Sequence, residues 1–361
     1  MKNIKSILIV VQRSNGDVFL ANTLVFNLHK FFPRAKIDIL INEDTTAIAK
    51  LLPSIRNIHK FSYSLKKSNP IKQEISILKK IFKKYDLSIS LTASDRSVLY
   101  SVLASKYSIS AVDANIKKSW WKKILLKNSY VFDEKVHIIE NNLTPLNFLN
   151  IPYSKKVIGI DPSINILAKV KNFIKDIGFE KFIIFHPSAQ YSYKIYPENL
   201  RNNLLLLLAN NEIKVIVTGG ASSLDLIIKN STPKHKNICN LINETSLEEY
   251  IALSSISSAY VGMDTLNMHI ASSQNKRVFA IFGPTLLRMW SPWSNITESC
   301  ASMNQSVNDY GNITIFQADL PCVACGKAGC NDQHNESLCL NYIDPELIYQ
   351  NVQGFIDDQK I

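Results

Sequence analysis

No apolar run in these 361 residues approaches bilayer-spanning length, which excludes a helical membrane protein. A secretory leader is not legible either. Lys2 and Lys5 precede Ile7–Val11, but the run stops at Gln12-Arg13 and no small-residue cleavage site follows. A cytoplasmic protein is therefore expected. The fingerprint G-x-G-x-x-G is missing, which argues against a dinucleotide-binding site. There is no internal repeat and no low-complexity tract, so neither a solenoid nor a disordered chain is expected. Acidic residues are scarce in one half only. Residues 1–150 hold 24 Lys and Arg against 11 Asp and Glu, a net of +13, whereas residues 151–361 hold 17 against 19, a net of −2. The basic half calls for an anionic partner: a phosphorylated or carboxylated substrate, a membrane surface or nucleic acid.

What remains is ordinary globular composition, 46% hydrophobic and 20% charged, in a chain long enough for two cores. The first half reads as strand–helix units: strands over Ser6–Val11, Lys36–Ile41, Ile58–Phe61 and Leu87–Leu91. Helices are expected from Asn15 to about Phe32, over Thr45–Leu52, Ile71–Phe82 and Ser97–Ala104, with another opening at Val136–Ile139. Lys155–Ala168 reads as a crossover. The pattern restarts with strands at Phe182–Phe185, Val215–Thr218, Ile238–Leu241, Ala259–Val261 and Val278–Phe282, interleaved with helices. Asp344-Pro345-Glu346 is a helix-opening signature for a final helix to about Asp357. Alternating strands and helices predict an α/β fold of two doubly wound domains facing a cleft, over 1–155 and 156–341, with a terminal helix over 342–361.

In parallel sheets, ligands bind beyond the carboxyl ends of the strands, and five segments fall there. Arg13-Ser14-Asn15-Gly16-Asp17 follows the first strand, where Asp17 could take a proton from an acceptor hydroxyl or simply favour a helix start. His186-Pro187-Ser188-Ala189 precedes Lys194, a cation suited to a diphosphate, although most lysines are solvated. Thr218-Gly219-Gly220 offers close backbone approach. Asp264-Thr265 opens a segment carrying Leu266 and His269, placed where helix N–H groups bind phosphate or where an aspartate merely caps. Gly283-Pro284-Thr285 closes the next strand.

These segments, taken in order, resemble the bacterial lipopolysaccharide heptosyltransferases, glycosyltransferase family 9. The resemblance rests on ILIVVQRSNGDVFLANTLVFNLHKFFPRAKIDIL, HPSA, KIYP, TGG, TSLEEYIALSS, GMDTLNMHIA, FGPT and the tail PCVACGKAGC…CL, and runs from Ile7 to about Leu340. The tail looks most like the heptosyltransferase III branch. The resemblance implies a GT-B fold and inverting transfer from ADP-heptose to a hydroxyl of the lipopolysaccharide inner core, with no catalytic cofactor. It implies that Asp17 is the catalytic base and that Lys194 holds the diphosphate. Asp264, Thr265 and His269 would contact the sugar nucleotide, with Ser188, Thr218, Gly219, Leu266, Gly283 and Pro284 completing the donor site. Two departures stand out: Tyr196 replaces a tryptophan frequent in the family, and Leu266 a glycine.

The motif Lys117-Lys118-Ser119-Trp120-Trp121-Lys122-Lys123 mixes cations with aromatic rings. With Arg13 it is expected to hold the anionic acceptor at the inner leaflet of the membrane, making the protein peripheral to it; no nucleic acid is expected as partner. Cys322, Cys325, Cys330 and Cys339 have the number of thiols for a structural zinc or iron site or, equally, are plain thiols. Rival readings are a GT-B transferase using another nucleotide sugar or a protein acceptor, a nucleotide-sugar epimerase, which needs no acceptor, and a non-catalytic nucleotide-binding or nucleic-acid-binding protein.

Overall fold

The computed structural model describes residues 4–334 and 336–358. The chain divides into two units, Met1–Ile160 and Asp161–Ile361. The first holds six strands: β1 Ser6–Val11, β2 Lys36–Asn42, β3 Ile55–Phe61, β4 Leu87–Ser90, β5 Ser108–Val112 and β6 Asn128–Val131. All pair in parallel in the order β3-β2-β1-β4-β5-β6. β1 is central and Ile7 to Val10 are wholly buried, because a parallel strand covered on both faces needs apolar residues at every position rather than alternate ones. One face, through Leu8, Val10 and Leu40, packs on Ile77 and Ile81 of the helix Pro70–Ile81 and on Tyr100 and Ala104 of the helix Asp95–Ala104.

The second unit holds β7 Ile183–His186, β8 Val215–Val217, β9 Ile238–Asn240, β10 Ala259–Met263, β11 Arg277–Ile281, β12 Val307–Tyr310 and β13 Ile313–Phe316. Their order is β12-β13-β11-β10-β7-β8-β9, and β12 is antiparallel to β13. β7 and β10 lie so close that a Cβ on Gly262 would come within 2.4 Å of the His186 carbonyl oxygen, which explains the glycine. The last helix, Pro345–Asp358, is part of this unit: Ile348 and Val352 share a core with Leu204, Leu205 and Leu208 of the helix Glu198–Asn210.

Four strands go beyond the sequence reading. β5, β6, β12 and β13 are only four or five residues long, and all but β13 carry Ser, Asn or Asp, so no long apolar run announces them. The expected first long helix is two, Asn15–Leu20 and Asn22–Phe31, joined at Ala21. None of the described helices is long and apolar enough to cross a membrane.

Each sheet reverses its strand order once. In the first unit the chain winds outward from β1 through β3, then returns to β4 on the other side of β1; in the second it winds from β7 to β9 and returns to β10. Crevices open at such switch points, beyond the carboxyl ends of β1 and β4 and of β7 and β10.

Candidate active site

At the second switch point the loop after β7 carries Lys194, the last residue of a short 3₁₀ turn over Ser192–Lys194. Its Nζ lies 3.0 Å from Oδ2 of Asp264, which follows β10 directly. Burial works against the Lys194 charge, but the Asp264 carboxylate more than offsets it and holds the ammonium above its ordinary pKa. Thr265 is the N-cap of the helix Leu266–Ser273, whose first turn points unpaired N–H groups towards the crevice end of β10. One turn further in, His269 is buried, and its Nδ1 has no hydrogen-bond partner among the described residues. Burial lowers its pKa to about 4 against the pull of Asp264, so the imidazole is neutral at physiological pH. A cation, a carboxylate, a helix N-terminus and a neutral imidazole thus converge where two strands part.

The neighbouring loops are stiffened by a carboxylate that the motif search passed over. Asp225 accepts from the Ser188 hydroxyl, from Gly220 N at 2.9 Å, from Ser222 N at 2.9 Å and from the Ser222 hydroxyl at 2.5 Å. Burial raises its pKa, yet these hydrogen bonds hold it below the ordinary carboxylate range. One side chain therefore ties the loop after β7 to the loop after β8. Gly219 is glycine partly for this reason, since a Cβ there would come within 3.1 Å of Asp225 Oδ1. The only prior signal was Ser222-x-x-Asp225, a capping-box spacing at the start of the helix Ser223–Ser231.

His186, at the end of β7, is the centre of a second small network. Its Nδ1 lies 3.0 Å from Thr218 Oγ1 and 3.2 Å from Asn267 Nδ2, and the Tyr250 hydroxyl donates to the Asn267 carbonyl at 3.1 Å. Burial lowers the His186 pKa to about 4, in spite of the opposing Asp225 charge. Thr218 is thereby a buried partner of His186. Asn267 and Tyr250 were not among the expected site residues, since neither spacing nor residue type marks them.

Gly283 is buried against Leu340, where an added Cβ would meet a methyl group at 3.0 Å, and Pro284 accepts a hydrogen bond from Gly326 N at 2.6 Å. Packing on the tail thus accounts for the glycine. Tyr196, which stands where the family often has tryptophan, is a fully buried core residue whose hydroxyl donates to the Ile343 carbonyl and anchors the tail. Cys339 is buried in the core and its thiol is pushed up to about 11, by burial and then by Cys330, Cys325 and Cys322, while Cys322 and Cys325 are exposed. Among the described residues no group of three or more His, Cys, Asp or Glu side chains is arranged to hold a metal ion.

At the first switch point, Asp17 lies in the opening turn of the helix Asn15–Leu20 and is 5% exposed. Oδ1 pairs with Arg13 Nε at 2.6 Å; Oδ2 accepts from the Ser14 hydroxyl at 2.6 Å and from Ser14 N at 3.2 Å. The Arg13 guanidinium in turn stacks over Phe132, 5.1 Å from the ring centroid. Asp17 is both the cap of its helix and a carboxylate at the crevice end of β1. Of the expected acceptor lysines, Lys117, Lys118 and Lys123 are exposed on the helix Ile116–Leu125, but Lys122 is not. Its Nζ is turned inward, 2.7 Å from the Ala93 carbonyl oxygen and 2.7 Å from Asp95, because a buried ammonium needs both a counter-charge and an acceptor.

Two doubly wound, Rossmann-like units in one chain, with anion-binding groups at a switch point, define the GT-B class of glycosyltransferases. The profile of glycosyltransferase family 9 (heptosyltransferase) matches residues 77–317, about two thirds of the chain, and the chain belongs to that family. It is 25% identical over 303 residues to lipopolysaccharide heptosyltransferase 3 of Escherichia coli strain K12, covering 82% of this chain and 88% of that one. Among solved structures it is similar to E. coli ADP-heptose lps heptosyltransferase II, with a TM-score of 0.72 at 17% identity over 99% of this chain and all of the other. E. coli heptosyltransferase WaaC with ADP gives 0.70 at 17% identity, covering 97% of this chain and 99% of that one.

Proposed function

We propose that this glycosyltransferase moves heptose from ADP-heptose, with inversion, to a hydroxyl of the lipopolysaccharide inner core. The observation that carries the reading is the Lys194–Asp264 pair at the mouth of β7 and β10, beside the neutral His269 and the first turn of the helix Leu266–Ser273. The solved relatives named for ADP-heptose or holding ADP share the fold around that point. When the donor arrives, Lys194 turns from Asp264 to the diphosphate, and Asp264 is left to accept from a hydroxyl of the sugar. As the glycosidic bond breaks, negative charge grows on the diphosphate while the sugar carbon becomes oxocarbenium-like. Lys194 and the helix N–H groups meet that charge. His269, neutral, offers a hydrogen bond without adding charge.

Asp17 is the proposed base. Its carboxylate takes the proton of the acceptor hydroxyl, and a single base suffices for an inverting displacement. Arg13 and Ser14 hold it oriented, and in this reading Arg13 also meets an anionic acceptor. In this reading no metal takes part in the transfer, the protein works at the cytoplasmic face of the inner membrane, and nucleic acid is not a partner. The test is incubation of the purified protein with ADP-heptose and core oligosaccharide, followed by mass analysis and proton NMR of the product. One added heptose of inverted anomeric configuration, insensitive to EDTA, is expected. ADP-heptose consumed without an acceptor would instead favour an epimerase or hydrolase.

A further inference from the structure

The helix Ile116–Leu125 is built inside out. Its inward side carries Ser119, whose hydroxyl donates to the Asn115 carbonyl at 2.9 Å, and Lys122, held by Ala93 and Asp95. Its outward side carries Ile116, Trp120 and Ile124, which are 72%, 57% and 73% exposed. At positions i, i+4 and i+8 these three side chains form one ridge along the helix. Lys123 flanks the ridge on one side and Lys117 on the other, both exposed. Ordinary burial would put the three large apolar side chains inward and the lysine outward, so the sequence here buries a lysine and presents an apolar ridge to the outside.

We infer that this ridge is the element that docks the protein on an anionic lipid bilayer, with Trp120 seated at the headgroup level. The choice of a membrane-borne occupant rests on the reading of the acceptor as a glycolipid. The rest follows from the surface itself. A convex ridge edged by ammonium groups matches a plane of anionic headgroups over acyl chains, whereas a helix-binding protein would need a groove. A tryptophan between apolar residues and lysines has the amphipathic ring that favours the membrane–water interface. The helix Asp95–Ala104 packs against both Ile116–Leu125 and Pro70–Ile81, and on the latter Ile71 is 73% exposed and followed by the exposed Lys72, a second apolar–cationic pair in the same unit.

The test uses the full chain with vesicles of phosphatidylglycerol and phosphatidylcholine, and of phosphatidylcholine alone. The unaltered protein should cosediment with the anionic vesicles, and its tryptophan emission should shift to the blue; Trp120→Phe should remove the shift. The variant Ile116→Ser/Trp120→Ser/Ile124→Ser should lose at least about tenfold in partition. Lys117→Ser/Lys118→Ser/Lys123→Ser should lose a similar factor, and added salt should reproduce that loss. If the triple apolar variant folds poorly, Trp120→Ala carries the same test with a severalfold loss. Transfer to a water-soluble core oligosaccharide should be unchanged in the apolar variant. Equal vesicle binding by the apolar variant and the unaltered protein would overturn the inference, as would a dimer in solution that the apolar variant dissociates. Vesicle binding with no heptosyl transfer would overturn the proposed reaction and leave the docking surface standing.

Discussion

Lys194→Ala is the sharpest test of the proposal that the second unit holds a diphosphate. At 3.0 Å and an effective dielectric near 20, the Coulomb attraction between Lys194 and Asp264 is about 5 kcal/mol, much of it offset by desolvation of the two partly buried groups. Removing the ammonium does two things to an incoming ADP. It deletes a charge-assisted hydrogen bond worth about 1.5–3 kcal/mol, and it leaves the Asp264 carboxylate facing the phosphates unscreened. Titration calorimetry with ADP should therefore show at least about a 30-fold loss of affinity for Lys194→Ala. The double variant Lys194→Ala/Asp264→Asn removes the repulsion as well as the cation and should recover about tenfold of that loss. The order is the signature, because a simple contact deletion predicts that the double variant binds no better than the single. ADP affinity within threefold of the unaltered protein in Lys194→Ala, with the fold intact by circular dichroism, would make Lys194 a structural partner of Asp264 only.

Asp17→Ala should lower turnover by about 100-fold or more while ADP affinity stays the same, because the proposed base meets the acceptor and not the nucleotide; steady-state rates and calorimetry on one preparation decide it. Stability should fall as pH drops from about 6.5 towards 4. Burial holds His186 and His269 at about 4 against an ordinary 6.5, so the unfolded chain takes up more protons across that window. By pH 5 the loss should reach about 2 kcal/mol per histidine in urea unfolding. His186→Asn should remove about half of it, and an unfolding free energy constant between pH 7 and 5 would contradict the assignment. Leu266→Gly, at the first position of the helix Leu266–Ser273, should bind ADP as well as the unaltered protein or better if, as proposed, backbone N–H groups that either residue supplies hold the donor. A loss beyond tenfold in a folded variant would show that the leucine side chain itself contacts the nucleotide.

Much of the fold was readable from one property of parallel sheets. Strands buried on both faces carry unbroken apolar runs, so ILIVV and its counterparts at β7, β10 and β11 stand out from the helices between them. Four short strands at or near the sheet edges escaped. SISAV and NSYV are too short and too polar for periodicity, and β12 and β13 form a hairpin of only four residues a side. The site was legible to the extent that it consists of loop residues following those runs. Lys194, Asp264, Thr265 and His269 sit beyond two neighbouring strands, and the alternation of elements placed them there before any coordinate did.

The chain by itself determined the α/β class, the central strands, the basic first half and the loops that carry the proposed donor-site residues, because these are properties of short segments and of their order. Pairings between residues far apart in sequence were decided by the tertiary structure alone. Asp225 is joined to Ser188 across 37 positions, and His186 to Asn267 across 81, by neighbouring loops that no local pattern relates. Gly283 and Tyr196 are packed by a distant segment, because the tail carrying Leu340 and Ile343 folds back over them. Lys122 was one of four equivalent lysines until the approach of Asp95 turned it inward and left Ile116, Trp120 and Ile124 outside. A side chain's chemistry is written in its residue type, but its partners depend on which elements the fold brings within about 3 Å of it.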